Sequence, residues 1–404
     1  METDGRLFRI VTLPLNALNL INQASRTVTA IIAPVLAVEF SLSGSQLGFL
    51  GACMLAAYAV AQLPGGVALD RLGPRRVQTA LSLTTAAGFA LFALADSLVG
   101  LAIGRVIIGL GISAGLVAVI KANAQWFAPA RVAAMTGIAA AIGGLGSVIA
   151  TAPAEALLPA IGWRGLCWIL SALSVGSALW IFFAVPEKPA ARRGGLRDDL
   201  AVMASLVRSP VFWRLGSAAA MLSVLNFTYL GLWAGPWLRD VGGYDGQARA
   251  NTLLVYTLTM MTGAVIVGGA MSRAKARGYP AGLVTLACTV FQLLAQAGLA
   301  LQPSNVATIT LLWMMMALCA AGAAPGYVAV GQMFPPEQTG RVSTAVNTLT
   351  LGGAFFLQAA VGWILDLWPR TASGGWDPDG YSAALVLSIV IQLFVGAQLL
   401  RMMR

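Results

Sequence analysis

The sequence predicts an all-α integral membrane protein, with twelve transmembrane helices in two pseudo-symmetric six-helix bundles. Three observations carry that expectation. First, 58% of the 404 residues are hydrophobic and only 10% are charged, whereas an ordinary soluble domain carries about 25% charged residues. Fifteen acids and 25 bases cannot cover a water-facing surface, and mean hydropathy is +0.80. Second, the apolar runs are long enough to cross a ~30 Å hydrocarbon core as helices, whereas a barrel strand needs only ~10 residues. Third, two loop motifs return at about half the chain length. The 45 Gly and 18 Pro do not oppose helices, since both are commoner in transmembrane helices than in soluble ones.

The apolar segments fall at 11–38, 46–69, 77–95, 100–127, 133–157 and 164–185, then at 211–238, 249–271, 281–300, 306–333, 341–366 and 381–400. The first continues past Asn16, Asn19, Asn22 and Arg26 to Val38. That is too long for a signal h-region, so it is expected to be a permanent helix. The expected domains are an N-terminal bundle over 1–185, a polar cytoplasmic linker over 186–210 and a C-terminal bundle over 211–404. The end of the linker, 196–207, could form a short amphipathic surface helix.

Orientation follows from Lys and Arg. Eighteen of the 25 fall in segments on the side of the N-terminus, and four (Arg164, Arg239, Arg249 and Arg370) on the other. The remaining three, Arg26, Arg105 and Lys121, lie within spans. Both termini are therefore expected in the cytoplasm, with the chain multi-pass in a bacterial-type inner membrane. The net charge of +10 is concentrated in these inner loops, which argues against a nucleic-acid partner.

Composition also excludes chemistry. With no histidine, His-based acid–base catalysis, Ser-His-Asp triads and His metal sites are absent. Cys53, Cys167, Cys288 and Cys319 lie inside apolar runs without CxxC spacing, as small buried hydrophobes do. Met260-Met261 and Met314-Met315-Met316 point around their helices, so neither run converges on an ion. No nucleophile–base pair is visible, so no enzyme, cofactor or metal is expected. Gly109-Leu-Gly111 and Gly143-Gly-Leu-Gly146 lack a preceding strand and read as close helix packing.

The halves echo each other. Gly66-Val-Ala-Leu-Asp70-Arg71-Leu-Gly73-Pro-Arg75-Arg76 follows the second span, and Gly268-Gly-Ala-Met-Ser272-Arg273-Ala-Lys275-Ala-Arg277 follows the eighth. Phe127-Ala-Pro-Ala-Arg131 follows the fourth, and Phe334-Pro-Pro-Glu337-Gln-Thr-Gly-Arg341 the tenth. Parallel six-helix repeats with a site between them form a transporter architecture. At these residues the chain resembles the major facilitator superfamily. The Gly66–Arg76 loop is similar to that family's G-xxx-D-[RK]-x-G-x-[RK]-[RK] signature, and Arg105-Val-Ile-Ile-Gly109-Leu-Gly111 resembles its R-xxx-G-x-G motif. The resemblance covers essentially the whole chain and implies a secondary transporter.

Three positions depart from the family patterns. Ser272 stands where the second loop copy expects Asp, the fifth span lacks the Gly-Pro-ending motif of drug–proton antiporters, and Ser25 stands where many anion-transporting relatives have an Asp. In the loop, Gly66, Asp70, Arg71, Gly73, Arg75 and Arg76 form a candidate gate. Asp70 would sit at a helix end, and the arginines would pair with it or with other helix ends.

Ionisable residues inside spans are functional candidates because they are expensive there. This chain has three such cations and no acid comparably deep, which calls for an anionic substrate. Asn19, Asn22, Gln23 and Arg26 form one stripe at i, i+3, i+4 and i+7, with Arg26 near mid-helix offering a planar fork to an anion. Arg105 and Lys121 are further candidates. They are ~24 Å apart along one helix, so a single small anion cannot touch both. In the second half, Asn226, Tyr229 and Trp233 fall on one face, joined by Tyr256, Tyr327, Asn347 and Gln358. Trp237 and Trp368 are expected in the interfacial belt.

The expected function is secondary transport of a small anion by a monomer in the lipid bilayer. Its coupling would be through protons, a counter-substrate or none. Efflux of lipophilic cations, or a non-transporting sensor, are the alternatives.

Overall fold

The structure is a computed structural model that describes residues 2–187, 204–335, 339–372 and 374–402. In chain order its helices are α1 (Glu2–Leu7), α2 (Leu13–Glu39), α3 (Gly44–Leu94), α4 (Leu98–Ile112), α5 (Gly115–Trp126), α6 (Pro129–Ile149) and α7 (Ala152–Ala184). They continue as α8 (Pro210–Thr228), α9 (Ala234–Asp240), α10 (Gly246–Ala276), α11 (Ala281–Ala300), α12 (Val306–Ala320), α13 (Ala323–Gly331), α14 (Thr339–Leu365) and α15 (Pro378–Met402). Short π-turns, Phe8–Thr12 and Tyr229–Trp233, join α1 to α2 and α8 to α9. Among the described residues the one β-type pairing is an isolated bridge between Arg370 and Trp376.

All twelve expected segments are helical. The count needs one correction in how they divide. The second and third spans form one 51-residue helix broken only at Gly73, whose φ of 79° is a left-handed conformation that glycine adopts without a Cβ penalty. Pro74 then opens the second arm. The fifth span begins at Pro129 and pauses at 150–151, and Gly162 (φ 65°) separates it from the sixth. Polar caps set other starts: the side chains of Ser97, Ser209, Asp245 and Asn305 each accept a backbone N–H three residues on, the usual N-cap arrangement.

The outside of the bundle is apolar. Phe183 and Val265 are 78% and 77% exposed, which suits lipid and not water. Ten helices are long and apolar enough to cross a membrane among the described residues, two spans being fused in α3. The polar side chains turn inward: Asn16, Asn19, Gln78, Asn123, Gln292 and Gln296 are all buried.

The chain divides into two compact units, Met1–Ile32 with Cys53–Leu196, and Ala33–Ala52 with Arg197–Arg404. The division expected at 186–210 therefore omits one feature, because the turn joining α2 to α3 groups with the second unit. Gly44, Gly48 and Gly51 explain it: a Cβ at each would crowd Gln358 or Gly362 of α14. Most of the linker, and with it most of the surface helix expected at 196–207, lies outside the described residues.

In the first unit, Val11, Leu15, Val119, Ala122, Ala139 and Ile181 form one core cluster. Glycines let helices approach: a Cβ on Gly146 would strike the Leu20 carbonyl, and one on Gly109 the Met54 carbonyl. Both Gly-rich stretches thus serve close packing. In the second unit, Trp313 is ringed by Tyr229, Trp237 and Tyr256, with ring centroids 5.6–6.1 Å away. Trp237 is 1% exposed, so it belongs to this core and not to the interfacial belt expected for it. The four cysteines are free and buried.

Candidate functional site

The polar stripe of α2 divides in two. Asn16 donates to the Thr12 carbonyl (2.8 Å), Asn19 to the Ala139 carbonyl of α6 (3.1 Å) and Asn22 to the Ile112 carbonyl of α4 (3.3 Å). Ile112 closes α4 where the chain turns into α5, so its carbonyl accepts from a side chain. These three asparagines are interhelical and local ties. Gln23 and Arg26 are only half-buried and are the polar ends that the stripe presents.

Arg26 Nε donates to Asn22 Oδ1 (3.1 Å), and its guanidinium lies 4.7 Å from the Tyr58 ring centroid. Asn22 therefore orients Arg26 while being held by α4. The Tyr58 face adds a cation–π contact. Tyr58 was missed in the sequence reading. The available signal was weak: it lies four residues after Met54, on the same face of α3.

Arg105 reaches the same helix further on. Its Nη2 donates to Thr29 Oγ1 (2.6 Å), its Nη1 lies 3.5 Å from the Met54 sulfur, and Phe92 stacks 5.6 Å from its guanidinium. Arg105 is 4% exposed, and every one of these partners is neutral. The Arg26 guanidinium reaches back to Asn22 and that of Arg105 reaches Thr29, so the two meet one face of α2 seven residues, or two turns, apart.

Lys121 is partnered away from Arg26 and Arg105. Its Nζ bonds Asp70 Oδ1 (2.7 Å) and the Gly66 carbonyl (3.0 Å). The motif carboxylate is thus paired by α5 and not by the arginines beside it, as expected from sequence. Arg76 instead pairs with Glu187 (2.6 Å), Arg75 lies 4.9 Å from the Phe182 ring, and Arg71 is exposed. Gly73 supplies the positive φ that lets both arms of α3 meet the loop. In the second copy Ser272 only back-bonds to the Gly268 carbonyl.

The second-unit candidates are held by neighbouring side chains and backbone. The Tyr256 hydroxyl donates to Asn226 Oδ1 (2.9 Å), Tyr229 and Ser388 share a bond (3.1 Å), and Trp233 Nε1 donates to the Gln358 carbonyl (3.1 Å). Gln358 Nε2 donates to the Phe227 carbonyl (2.8 Å). Asn226, Tyr229, Trp233, Tyr256 and Gln358 are all buried, joined to each other or to their own unit. The π-turn at Tyr229–Trp233 breaks the i, i+3, i+7 register on which they were grouped. Asn347 differs: with Ser223 and Tyr327 it lines a cavity of about 400 Å³ walled by alanines and glycine.

At one end the second unit holds a paired charge cluster. Asp240 pairs with Arg239 and accepts from the Tyr381 hydroxyl (2.7 Å) and the Trp376 N–H (3.1 Å). Asp366 accepts the N–H groups of Gly44 (2.6 Å) and Ser45 (2.8 Å), at the start of α3. Burial alone would raise the Asp366 carboxyl, but bonds from Ser45, Gly44 and Ser43 outweigh it and hold it below the usual carboxylate range. Arg370 donates to the Leu42 carbonyl. Among the described residues no cluster of three or more Cys, Asp or Glu side chains could hold a metal.

Helices long and apolar enough to cross a membrane, a basic loop built on Gly73, and buried cations mid-span define a polytopic helical membrane protein. The chain belongs to the Major Facilitator Superfamily, whose family model matches residues 15–301. It is 26% identical over 261 residues to the probable sulfoacetate transporter SauU of Cupriavidus necator, covering 60% of each chain. It is 36% identical over 115 residues to the nitrate/nitrite transporter NrtP of a Picosynechococcus species, covering 28% of this chain and 21% of that one. A Bacillus subtilis hexuronate transporter is 27% identical over 42% of this chain and 40% of its own. Each match thus spans less than two thirds of the relative.

The fold is shared with a bacterial homolog of the human lysosomal transporter Spinster (TM-score 0.78, 17% identity, 96% of this chain and 95% of that one). It is shared as well with the xylose transporter XylE from E. coli (TM-score 0.70, 13% identity, 96% and 98%).

Proposed function

We propose that this protein is a secondary transporter of a small organic or inorganic anion, and that Arg26 binds the anionic group. The observation that carries the reading is that Arg26 and Arg105 both bond one face of α2, at Asn22 and Thr29, in a span that contains no acid from Ile10 to Val38. A guanidinium fork matches a carboxylate, sulfonate or nitrate with two parallel hydrogen bonds. Gln23 and Tyr58 complete the subsite beside Arg26, and Arg105 supplies a second positive charge. Asn19 and Asn22 act behind it as positioning residues.

The relatives support the anionic class: sulfoacetate, nitrate or nitrite, and hexuronate are the solutes in their names, and all are anions at neutral pH. The same reading places both termini in the cytoplasm of an inner membrane, by the distribution of Lys and Arg.

A thermal-shift screen of the detergent-purified protein tests this. The panel holds sulfoacetate, galacturonate, cis,cis-muconate and nitrate, with tetraphenylphosphonium as the competing class. A ligand that binds only the folded state adds ~2.7 kcal/mol at a hundredfold its dissociation constant. One anion class should raise the melting temperature, and Arg26→Ala should abolish that rise. Stabilisation by the cation, unaffected in Arg26→Ala, would overturn the reading in favour of cation efflux.

A further inference from the structure

We propose that the Cys288 and Cys319 thiols form a binding site for trivalent arsenic, taken up as the uncharged hydroxide that arsenite forms at neutral pH. Both residues belong to the second unit, and the inference stands apart from the anion reading.

The four cysteines are buried in two different settings. Cys53 of α3 and Cys167 of α7 are neighbours of the Arg105 guanidinium. Cys288 of α11 and Cys319 of α12 are neighbours of each other. Their thiols share a hydrogen bond, and both lie in one buried cluster with Leu222, Val267 and Ala323. Met315, one turn before Cys319, packs against the same cluster. The meeting is built at the break between α12 and α13, where Gly322 has no side chain. A Cβ there would strike both the Cys288 Cβ and its sulfur, so glycine is what lets α11 bring this sulfur up to α12. The Thr285 hydroxyl, one turn before Cys288, donates to the Gly322 carbonyl (3.1 Å) and ties the two helices at this level.

The donor set selects the ligand. Two thiols and a thioether are soft donors, and an apolar core penalises charge. Zinc arrives as a dication and wants four ligands. Arsenic(III) arrives as As(OH)3 without charge, is soft, and is pyramidal. Each thiol gives its proton to a departing hydroxide. Two As–S bonds form, two As–O and two S–H bonds break, and two waters leave. No electron is transferred, so no oxidant takes part. The product is neutral and keeps one hydroxyl, for which the Thr285 oxygen offers an acceptor. The approach is through the cavity of about 400 Å³, whose wall includes Ala320, Ala321, Ala323 and Tyr327. Ala323 belongs both to that wall and to the cluster of the two thiols, so one layer of small side chains separates them from the cavity. Bound arsenic would staple α11 to α12 beside the break.

The test uses the full chain purified in detergent without thiol reductant, incubated with sodium arsenite and desalted. Elemental mass spectrometry reads arsenic per chain. Wild type should retain one arsenic, and so should the double variant Cys53→Ala, Cys167→Ala. Cys288→Ala and Cys319→Ala should each weaken binding by at least about a hundredfold, because a single thiol loses the gain from a second one held beside it. Arsenite should raise the melting temperature of wild type, as a ligand of the folded state does, and leave that of Cys288→Ala unmoved. The competing dithiol 2,3-dimercaptopropanol should strip the arsenic. If the alanine variants fail to fold, peptide mapping of wild type decides: arsenite should protect Cys288 and Cys319 from a maleimide and leave the reactivity of Cys53 and Cys167 unchanged.

Wild type that retains no arsenic overturns the proposal. Undiminished retention in the double variant Cys288→Ala, Cys319→Ala overturns it too, as does protection of Cys53 or Cys167 in place of the pair. The probe is uncharged at neutral pH, so each of these outcomes leaves the anion reading standing.

Discussion

Two arginines of this protein are buried in opposite ways. Arg239, in the second unit, has Asp240 as its immediate neighbour, and that carboxylate is itself satisfied by Tyr381 and Trp376. Arg105, in the first unit, is more deeply buried, bonds Thr29 and Met54 and lies against Phe92. The chain supplies a counter-charge where an arginine fastens structure, and withholds one where the proposed substrate would bring it. A buried ion pair is harmed most by removing one partner. A cation with neutral partners has no such partner to lose.

The comparison breaks most visibly at Asp240. Asp240→Ala leaves Arg239 unpaired and orphans two hydrogen bonds, and should destabilise the protein by about 2–3 kcal/mol, below the full buried-pair value because Arg239 is partly exposed. Thermal unfolding in detergent reads this, and adding Arg239→Met should recover part of the loss.

A smaller effect is expected at Asp366, whose carboxylate caps α3. Asp366→Asn should cost about 1 kcal/mol, the usual worth of a charged cap. Because the folded carboxyl titrates below its ordinary value, its contribution is complete above about pH 4, the unfolded value. It is lost as pH falls further, through the folded value. The gap in melting temperature between wild type and Asp366→Asn should therefore be constant from pH 7 to 5 and close under stronger acid.

The smallest stability effect is expected at the most buried cation. Arg105→Met replaces a guanidinium that has neutral partners with an apolar chain, and such swaps are often neutral or stabilising. Its melting temperature should match or exceed that of wild type while anion-induced stabilisation falls. A loss as large as that of Asp240→Ala would end the contrast between the two arginines.

Much of the fold was legible because hydropathy is local. A span is read from its own ~20 residues, and the Lys and Arg that orient it lie in the adjoining loops. The stripe on α2 was legible for the same reason, since helical period places Asn19, Asn22 and Arg26 together whatever packs on them. The register relating Asn226, Tyr229 and Trp233 is shifted midway by a π-turn, which nothing in the local composition signals. Trp237 was misread because an aromatic near a span end suits either the interface or a core, and the choice falls to Trp313, 76 residues on.

The sequence by itself determined that this is a helical membrane protein, that its loops are basic on one side, and that its spans carry cations without deep acids. Those are properties of composition and short-range order. Only the tertiary structure decided the partners. Asp70 is held by Lys121, 51 residues away, and not by the arginines beside it. Tyr58 is the aromatic that covers Arg26, and Thr29 brings Arg105 to the same helix. Asn19 and Asn22 are tied to backbone carbonyls of α6 and α4, leaving Gln23 and Arg26 as the presented pair. A side chain's charge and reach are written in the chain. Which neighbour satisfies it depends on helix crossings set by glycine contacts far apart in sequence.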